Sequence, residues 1–225
     1  MGSTYLKVVY ATDEDVFNES SADWATIVPK SNRYAAGSDG VFAAATGGSW
    51  VLTAASSRFA AQGVVSGQVV QLTLPGQSGV HCFAVDSASD STGLTLRRCG
   101  FALGEGLPPA PSGGLNSVGY LIVSLKPQIE RVAYELNQRY ALDPNLANRR
   151  SADVYDQRVF RRLTALQVLY LQYAGLNRAK AGDFADKVEF YHREYRAALE
   201  TATVRWGADG NSQPATTATS CRISR

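Results

Sequence analysis

Apolar residues recur at helical spacing in two long stretches of the carboxyl-terminal half. In the second stretch they follow one another at steps of four, three, four, four and three, as Phe184, Val188, Tyr191, Tyr195, Leu199 and Ala202. The first stretch has the same kind of pattern, with Val159, Leu163, Leu166, Tyr170 and Tyr173. Such spacing places apolar residues on one face of a helix, so we predict two long amphipathic helices between residues 153 and 206.

The segment between these stretches predicts how the two helices connect. Gly182 suits the position just after a helix end, and Asp183 is a favourable residue to cap the next helix. We therefore predict a helical hairpin whose apolar faces pack together. A third helix is predicted over residues 125–140, with Pro127 tolerated in its first turn and with an apolar face made of Ile129, Val132, Ala133, Leu136 and Tyr140.

A different pattern fills residues 37–106. Short runs rich in β-branched residues occur at 49–53, 68–74, 80–85 and 94–98, and glycine-containing or proline-containing turns separate them. Their number and spacing predict a small antiparallel barrel or sandwich. Upstream of them, Thr12 and the three acidic residues that follow predict the start of a short helix.

The predicted fold class is α+β, a small helical bundle with a long helical hairpin, an inserted small antiparallel β-barrel or sandwich, and an extended C-terminal arm. The predicted divisions are an N-terminal helical part of the bundle (1–36), the β module (37–106), a linker (107–117), the bundle core (118–206) and the arm (207–225). The arm is small and polar, and alone it buries too little apolar surface to fold. We expect it either to stay disordered or to become ordered on a partner.

Composition restricts the choice of function. The 225 residues are 45% hydrophobic and carry a net charge of +2, so bulk charge does not mark a polyanion binder. Residues 1–119 have six basic and nine acidic side chains, whereas the remainder has 16 basic and 11 acidic ones. The helical half is therefore mildly basic. We expect no membrane span and no secretory signal, since the apolar runs are short and the first residues lack a basic stretch before an apolar core.

Residues that could carry chemistry are few. The cysteines are Cys82, Cys99 and Cys221, an odd number at wide spacing, which argues against a disulfide framework and against a zinc site. Cys82 and Cys99 could face each other in the barrel, and we favour two buried thiols in a reducing compartment. The histidines, His81 and His192, stand in no catalytic motif. We expect a non-enzymatic protein without catalytic residues, metal ligands or cofactor.

Several segments together resemble the head–tail adaptor (connector or neck) proteins of tailed bacteriophages. They are Gly-Asp-Phe-Ala-Asp-Lys at 182–187, Tyr-His-Arg-Glu-Tyr at 191–195, Trp-Gly-Ala-Asp-Gly-Asn at 206–211, and residues 128–140 upstream. Residues 63–70 and 93–98 of the β module fit the same family. The helical part of the resemblance covers residues 1–35 and 115–206.

This resemblance implies a virion protein, made in the host cytoplasm, that forms a closed homo-oligomeric ring, usually twelvefold, beneath the portal protein. The ring would join the portal to the tail or to a stopper or tail-terminator protein. Phage DNA would pass through its lumen without sequence recognition, and no membrane is involved. The arm would embrace the portal, and its expected docking residues are Trp206, Asp209, Asn211, Arg222, Ile223 and Arg225.

Basic residues of the helical half are expected to line the channel or to form ion pairs between subunits, and they are Arg149, Arg150, Arg161 and Arg162. A solvated helix face is the alternative for them. For the whole chain, one alternative is a tail-completion or stopper protein of the same neck. Another is a cytoplasmic OB-like single-strand nucleic-acid binder, which would need aromatic and basic side chains interleaved on a strand face. Here the β module offers only Trp50, Phe59, Phe83 and Phe101 with the pair Arg97 and Arg98.

Overall fold

A computed structural model of the chain describes residues 9–45, 49–89, 92–100, 114–140, 142, 157–179 and 182–202. The chain divides into two compact units, which are Thr12–Leu125 and the combination of Met1–Ala11 with Lys126–Arg225. The described residues form five α-helices and six strands, so the predicted α+β class is confirmed. No helix within these described ranges is both long and apolar enough to cross a bilayer.

The first unit contains a closed antiparallel barrel. Its strands are β1 (Arg33–Ala44), β2 (Trp50–Ala54), β3 (Val69–Thr73), β4 (His81–Ala88), β5 (Gly93–Arg98) and β6 (Leu115–Val123). The order around the barrel is β1-β2-β5-β4-β3-β6, and each neighbouring pair is antiparallel. The barrel, and not the sandwich, is therefore the architecture, and closure leaves no unpaired strand edge.

Inward-facing side chains fill the barrel. Alternate residues of the strands are fully buried there, as Leu52, Leu72, Leu94, Leu96 and Ile122 illustrate. At one place three aromatic rings cluster, with centroids 4.4 Å apart for Phe42 and Trp50 and 5.3 Å apart for Phe42 and Phe83. The barrel is thus a packed core and not a pore, as expected for so few strands.

Two short helices belong to the barrel unit. They are α1 (Asp13–Glu19) and α2 (Trp24–Ile27). The predicted cap at Thr12 is confirmed, since Thr12 Oγ1 accepts from the Asp15 N–H and the Asp15 carboxylate accepts from the Thr12 N–H. The Glu14 N–H donates to the Gly67 carbonyl oxygen at 3.0 Å, and the Leu125 N–H donates to Asp13 Oδ1 at 2.7 Å.

These boundaries differ from the predicted divisions. Residues 12–36 lie in the barrel unit, although the sequence pattern placed them with the helical bundle. Strand β6 crosses the predicted division between linker and bundle core at residue 117, because the barrel needs this sixth strand to close. Most of the predicted linker, as far as residue 113, lies outside the described residues.

The second unit contains three long helices, α3 (Lys126–Arg139), α4 (Arg158–Ala179) and α5 (Ala185–Thr201). The buried residues of α3 are Ile129, Val132, Ala133 and Leu136, which are four of the five expected on its apolar face. Helix α4 is buried over a broad arc because it packs against both α3 and α5. By contrast, Tyr191 is the one buried residue of α5.

Helices α4 and α5 contact each other and run in opposite directions. The Phe184 N–H donates to Asn177 Oδ1 at 3.2 Å, and the rings of Tyr173 and Tyr191 stack with centroids 5.3 Å apart. Gly182 has a φ of 101°, and its N–H donates to the Asn177 carbonyl oxygen at 3.1 Å, as at many helix ends. The residue that caps α5 is Phe184 and not Asp183, and its side chain makes no capping hydrogen bond.

Candidate functional site

Most of the residues predicted to bind partners lie outside the described residues. This applies to the arm residues Trp206, Asp209, Asn211, Arg222, Ile223 and Arg225 and to the basic pair Arg149 and Arg150. Arg161 and Arg162 are described, and both are exposed in the first turns of α4. The structure therefore locates two of the predicted basic residues.

The start of α4 is a basic surface, which we name the α4 arginine cluster. Arg158, Arg161 and Arg162 are all exposed there, and their spacing places them side by side on the helix. The first turn contains no acidic residue. Because a helix N-terminus already carries partial positive charge, these cations add to the local field instead of offsetting it. The cluster is therefore a candidate contact surface for anions such as phosphate groups.

The outward surface of α5 forms a shallow groove. It has a volume of about 550 Å³ and is lined by Asp186, Lys187, Glu189, Phe190, Tyr191 and Arg193. The Phe190 ring is 45% exposed, and the Arg193 guanidinium lies over it at 5.8 Å from its centroid. Few large apolar side chains are this exposed in the described part of the chain, so the groove is a candidate contact surface.

An ion pair fastens α1 to the outside of the barrel. The guanidinium of Arg97 in β5 donates two hydrogen bonds to the carboxylate of Glu14, which is only 7% exposed. The Gly100 N–H also donates to Glu14 Oε1, at 2.9 Å, and Asp86 Oδ1 lies 3.7 Å from Arg97 Nε. Hydrogen bonding to Glu14 raises the pKa of Arg97. The polar atoms satisfy one another, which is typical of a structural pair.

The thiols of Cys82 and Cys99 lie close together beside this ion pair. The ladder between β4 and β5 pairs Phe83 with Arg98, so continuing it by one residue sets Cys82 opposite Cys99. Both are free and partly exposed, whereas the sequence predicted buried thiols. Their partial burial still removes enough water to raise the pKa of Cys82 to about 11 and that of Cys99 to about 12. Both thiols are protonated at neutral pH and are poor nucleophiles.

A second polar network joins β1, β6 and the segment after β2, and sequence reasoning missed it. Ser57 Oγ lies 2.6 Å from the Tyr120 hydroxyl, which donates to Asp39 Oδ1 at 3.2 Å. Ser56 donates to Asp39 from its N–H and its hydroxyl, and these bonds lower the pKa of Asp39. An ionised, hydrogen-bonded carboxylate is a weak base, so we interpret the network as a structural clamp. Gly37 is the residue whose identity reflects this network, because a Cβ at that position would lie 2.4 Å from the Tyr120 hydroxyl.

The barrel lacks an exposed aromatic platform in its described part. Trp50 is 4% exposed and Phe59 is fully buried, while Phe83 packs against the same core. Phe101 lies outside the described residues. Stacking of bases needs exposed ring faces, so the geometry does not favour single-strand recognition. Within the described ranges, no group of three or more His, Cys, Asp or Glu side chains is placed to hold a metal ion.

Comparison with known proteins does not indicate a function for the chain. No family model, no curated protein and no solved structure matches the chain.

Proposed function

We propose that the chain is a structural virion protein of a tailed bacteriophage, a ring-forming head–tail adaptor that joins the portal to the tail or neck. In this proposal α3, α4 and α5 belong to a small bundle built on a helical hairpin, and residues 207–225 form the portal-binding arm. The barrel would be a structural module of the subunit. The basis is the resemblance of the helical segments to that family, together with the surface features of α4 and α5.

One observation carries the proposal, and it is the incomplete burial of α5. Of the apolar stripe that predicts this helix, Tyr191 alone is buried, and the other members are partly exposed: Phe184, Val188, Tyr195, Leu199 and Ala202. A helix that leaves much of its apolar face partly exposed is typical of a subunit that buries more surface on assembly. Neighbouring subunits of a ring would supply that cover.

The α4 arginine cluster suits a surface that faces DNA in transit. Cations that contact phosphates attract any sequence equally, because phosphates carry no base information. A few arginines per subunit, repeated around a ring, give a positive lumen without tight binding by any one subunit. In this proposal Arg161 and Arg162 line the channel, and the same role is proposed for Arg149 and Arg150. Ion pairs between subunits are the alternative role for the same side chains.

The arm is proposed to grip the portal. A polar segment becomes ordered on docking at an entropic cost, and many equivalent contacts around a ring compensate for it. Trp206 and Ile223 would supply apolar contact, and Arg222 and Arg225 would supply charge. The remaining partner is a tail or stopper protein on the opposite side of the ring. The proposal involves no cofactor and no catalytic residue.

Electron microscopy and native mass spectrometry of the purified full chain, alone and with a portal, test this proposal. We expect a closed ring, twelvefold by analogy with the family, that attaches to the portal. Truncation after residue 206 should leave the ring and abolish the attachment. A chain that stays monomeric at high concentration and is missing from purified virions would refute the adaptor. A ring that never touches the portal would indicate a stopper or tail-completion protein instead.

A further inference from the structure

Two opposite charges stand on either side of an exposed aromatic ring on one side of α5. Asp186 lies in the first turn of the helix, Arg193 lies about two turns later, and both are exposed. Phe190, also exposed, stands near the midpoint between them. Asp186, Phe190 and Arg193 follow one another at steps of four and three, so they share one side of the helix.

This order is self-complementary only when two copies of the helix run in opposite directions. If a two-fold axis passes between residues 189 and 190, Asp186 of each copy faces Arg193 of the other. The two Phe190 rings then meet at the centre, beside the groove that Glu189 and Lys187 also line. A parallel arrangement would instead set Asp186 against Asp186 and Arg193 against Arg193, which like-charge repulsion opposes.

We propose that α5 is a two-fold contact surface whose occupant is α5 of a second copy of this chain, in antiparallel orientation. Each contact would contain two symmetric Asp186–Arg193 ion pairs flanking a Phe190–Phe190 contact. Within one chain, Arg193 Nε approaches Glu194 at 4.0 Å, but at 67% exposure such a pair has little strength and leaves the guanidinium available to a partner.

The contact differs from the one a ring requires. A two-fold contact closes after two copies, whereas a ring is built from head-to-tail contacts between unlike surfaces. The proposal therefore does not rest on the adaptor function, and in an adaptor it would pair two rings or two free subunits. A single helix–helix contact buries less than the roughly 1,200 Å² of a standard interface, so we expect weak, concentration-dependent pairing.

Charge reversal tests the geometry, with sedimentation velocity of the full chain over a concentration series as the measurement. Asp186→Arg and Arg193→Asp should each weaken self-association at least tenfold, because each places like charges opposite one another. The double variant D186R/R193D restores both ion pairs and should return to within threefold of the original chain. Mixing the two single variants should give a heterodimer, since one copy then offers two arginines and the other two aspartates.

Circular dichroism of each variant serves as the folding control, because all the altered side chains are exposed. Phe190→Ser should weaken pairing without altering helix content. Pairing that is insensitive to the single reversals, or a double variant that stays as weak as the singles, would overturn the antiparallel contact. A chain that forms a ring but shows no charge-dependent pairing of two copies would also overturn the antiparallel contact. That result would leave the adaptor proposal standing. Charge-dependent dimers without any ring would support the contact and count against the adaptor.

Discussion

The core of the barrel unit and helix α5 of the helical unit differ in how completely each buries its apolar residues within one chain. In the barrel Leu52, Leu94 and Leu96 are fully buried, and an ion pair of nearly buried groups fastens α1 to its outer side. In the helical unit α5 has a single buried residue and exposes Phe190 on its outward surface. The difference indicates where further contacts belong. Partners are expected on the helical unit, because the barrel has already satisfied its own core.

The largest expected effect is on the barrel core. Leu96→Ala should lower the free energy of unfolding of the barrel unit by about 3 kcal/mol, because a fully enclosed leucine leaves a cavity that the strands cannot close. Leu199→Ala on the partly exposed stripe of α5 is the matched control and should cost only about 1 kcal/mol. Chemical denaturation of the full chain, followed at two wavelengths, measures both. Equal losses would remove the distinction between the two units.

The next effect concerns the attachment of α1. Glu14→Ala should destabilise the barrel unit by about 2 kcal/mol, since it removes the carboxylate that accepts two hydrogen bonds from the Arg97 guanidinium and one from the Gly100 N–H. Glu19→Ala, an exposed acidic residue of the same helix, is the control and should change stability by less than about 0.5 kcal/mol. Urea denaturation compares them. A loss at Glu14 no larger than at Glu19 would contradict the role of the ion pair.

Two glycine substitutions, one in each unit, should change stability in opposite directions. Gly37→Ala brings a Cβ within 2.4 Å of the Tyr120 hydroxyl, and it should cost about 2 kcal/mol by displacing the Ser57–Tyr120 hydrogen bond. Gly175→Ala, in an exposed part of α4 where a Cβ meets nothing within 4 Å, should stabilise the helical unit by about 0.5 to 1 kcal/mol. Thermal melting of each variant reports the sign. Opposite signs are the expected result.

These contrasts also separate what the sequence could predict from what it could not. Local patterns sufficed for the Thr12 cap, for the inner face of α3 and for four of the strands, because those signals lie within a few residues. Strand β1 was missed because its run of alanine, glycine and serine carries little β-propensity. The pairing of β6 with β1 and β3 was missed because no local pattern specifies which distant strands meet.

The same difference between local patterns and contacts of distant residues applies to the candidate surfaces. Arg161 and Arg162 lie on the outside of α4, as each of their predicted roles requires, because the helical period alone decides which side of the helix they occupy. The network of Asp39, Ser57 and Tyr120 was not predicted, since it joins residues up to 81 positions apart. The positions of the charges on α5 can be read from the sequence. They indicate a contact surface only when the structure shows that Phe190 is exposed between them.

The smallest effect, and the one most specific to the barrel wall, concerns Cys82 and Cys99. In a Cys221→Ser background, an aromatic disulfide reagent should react with them slowly at pH 7.5, and the rate should rise about tenfold per pH unit up to about pH 10. The reason is that burial raises their pKa values to about 11 and 12, above the ordinary value of 9.0.

The same shifts fix the sign of the stability change with pH. The folded chain keeps these protons where the unfolded chain has already lost them, so their contribution to stability is intact below pH 9 and declines as pH rises towards 11 to 12. Replacing both cysteines by serine should flatten that decline in urea titrations between pH 8 and 10.5. Rapid reaction at pH 7.5, or a decline that the serine variant retains, would show that the two thiols are not shielded by the barrel wall.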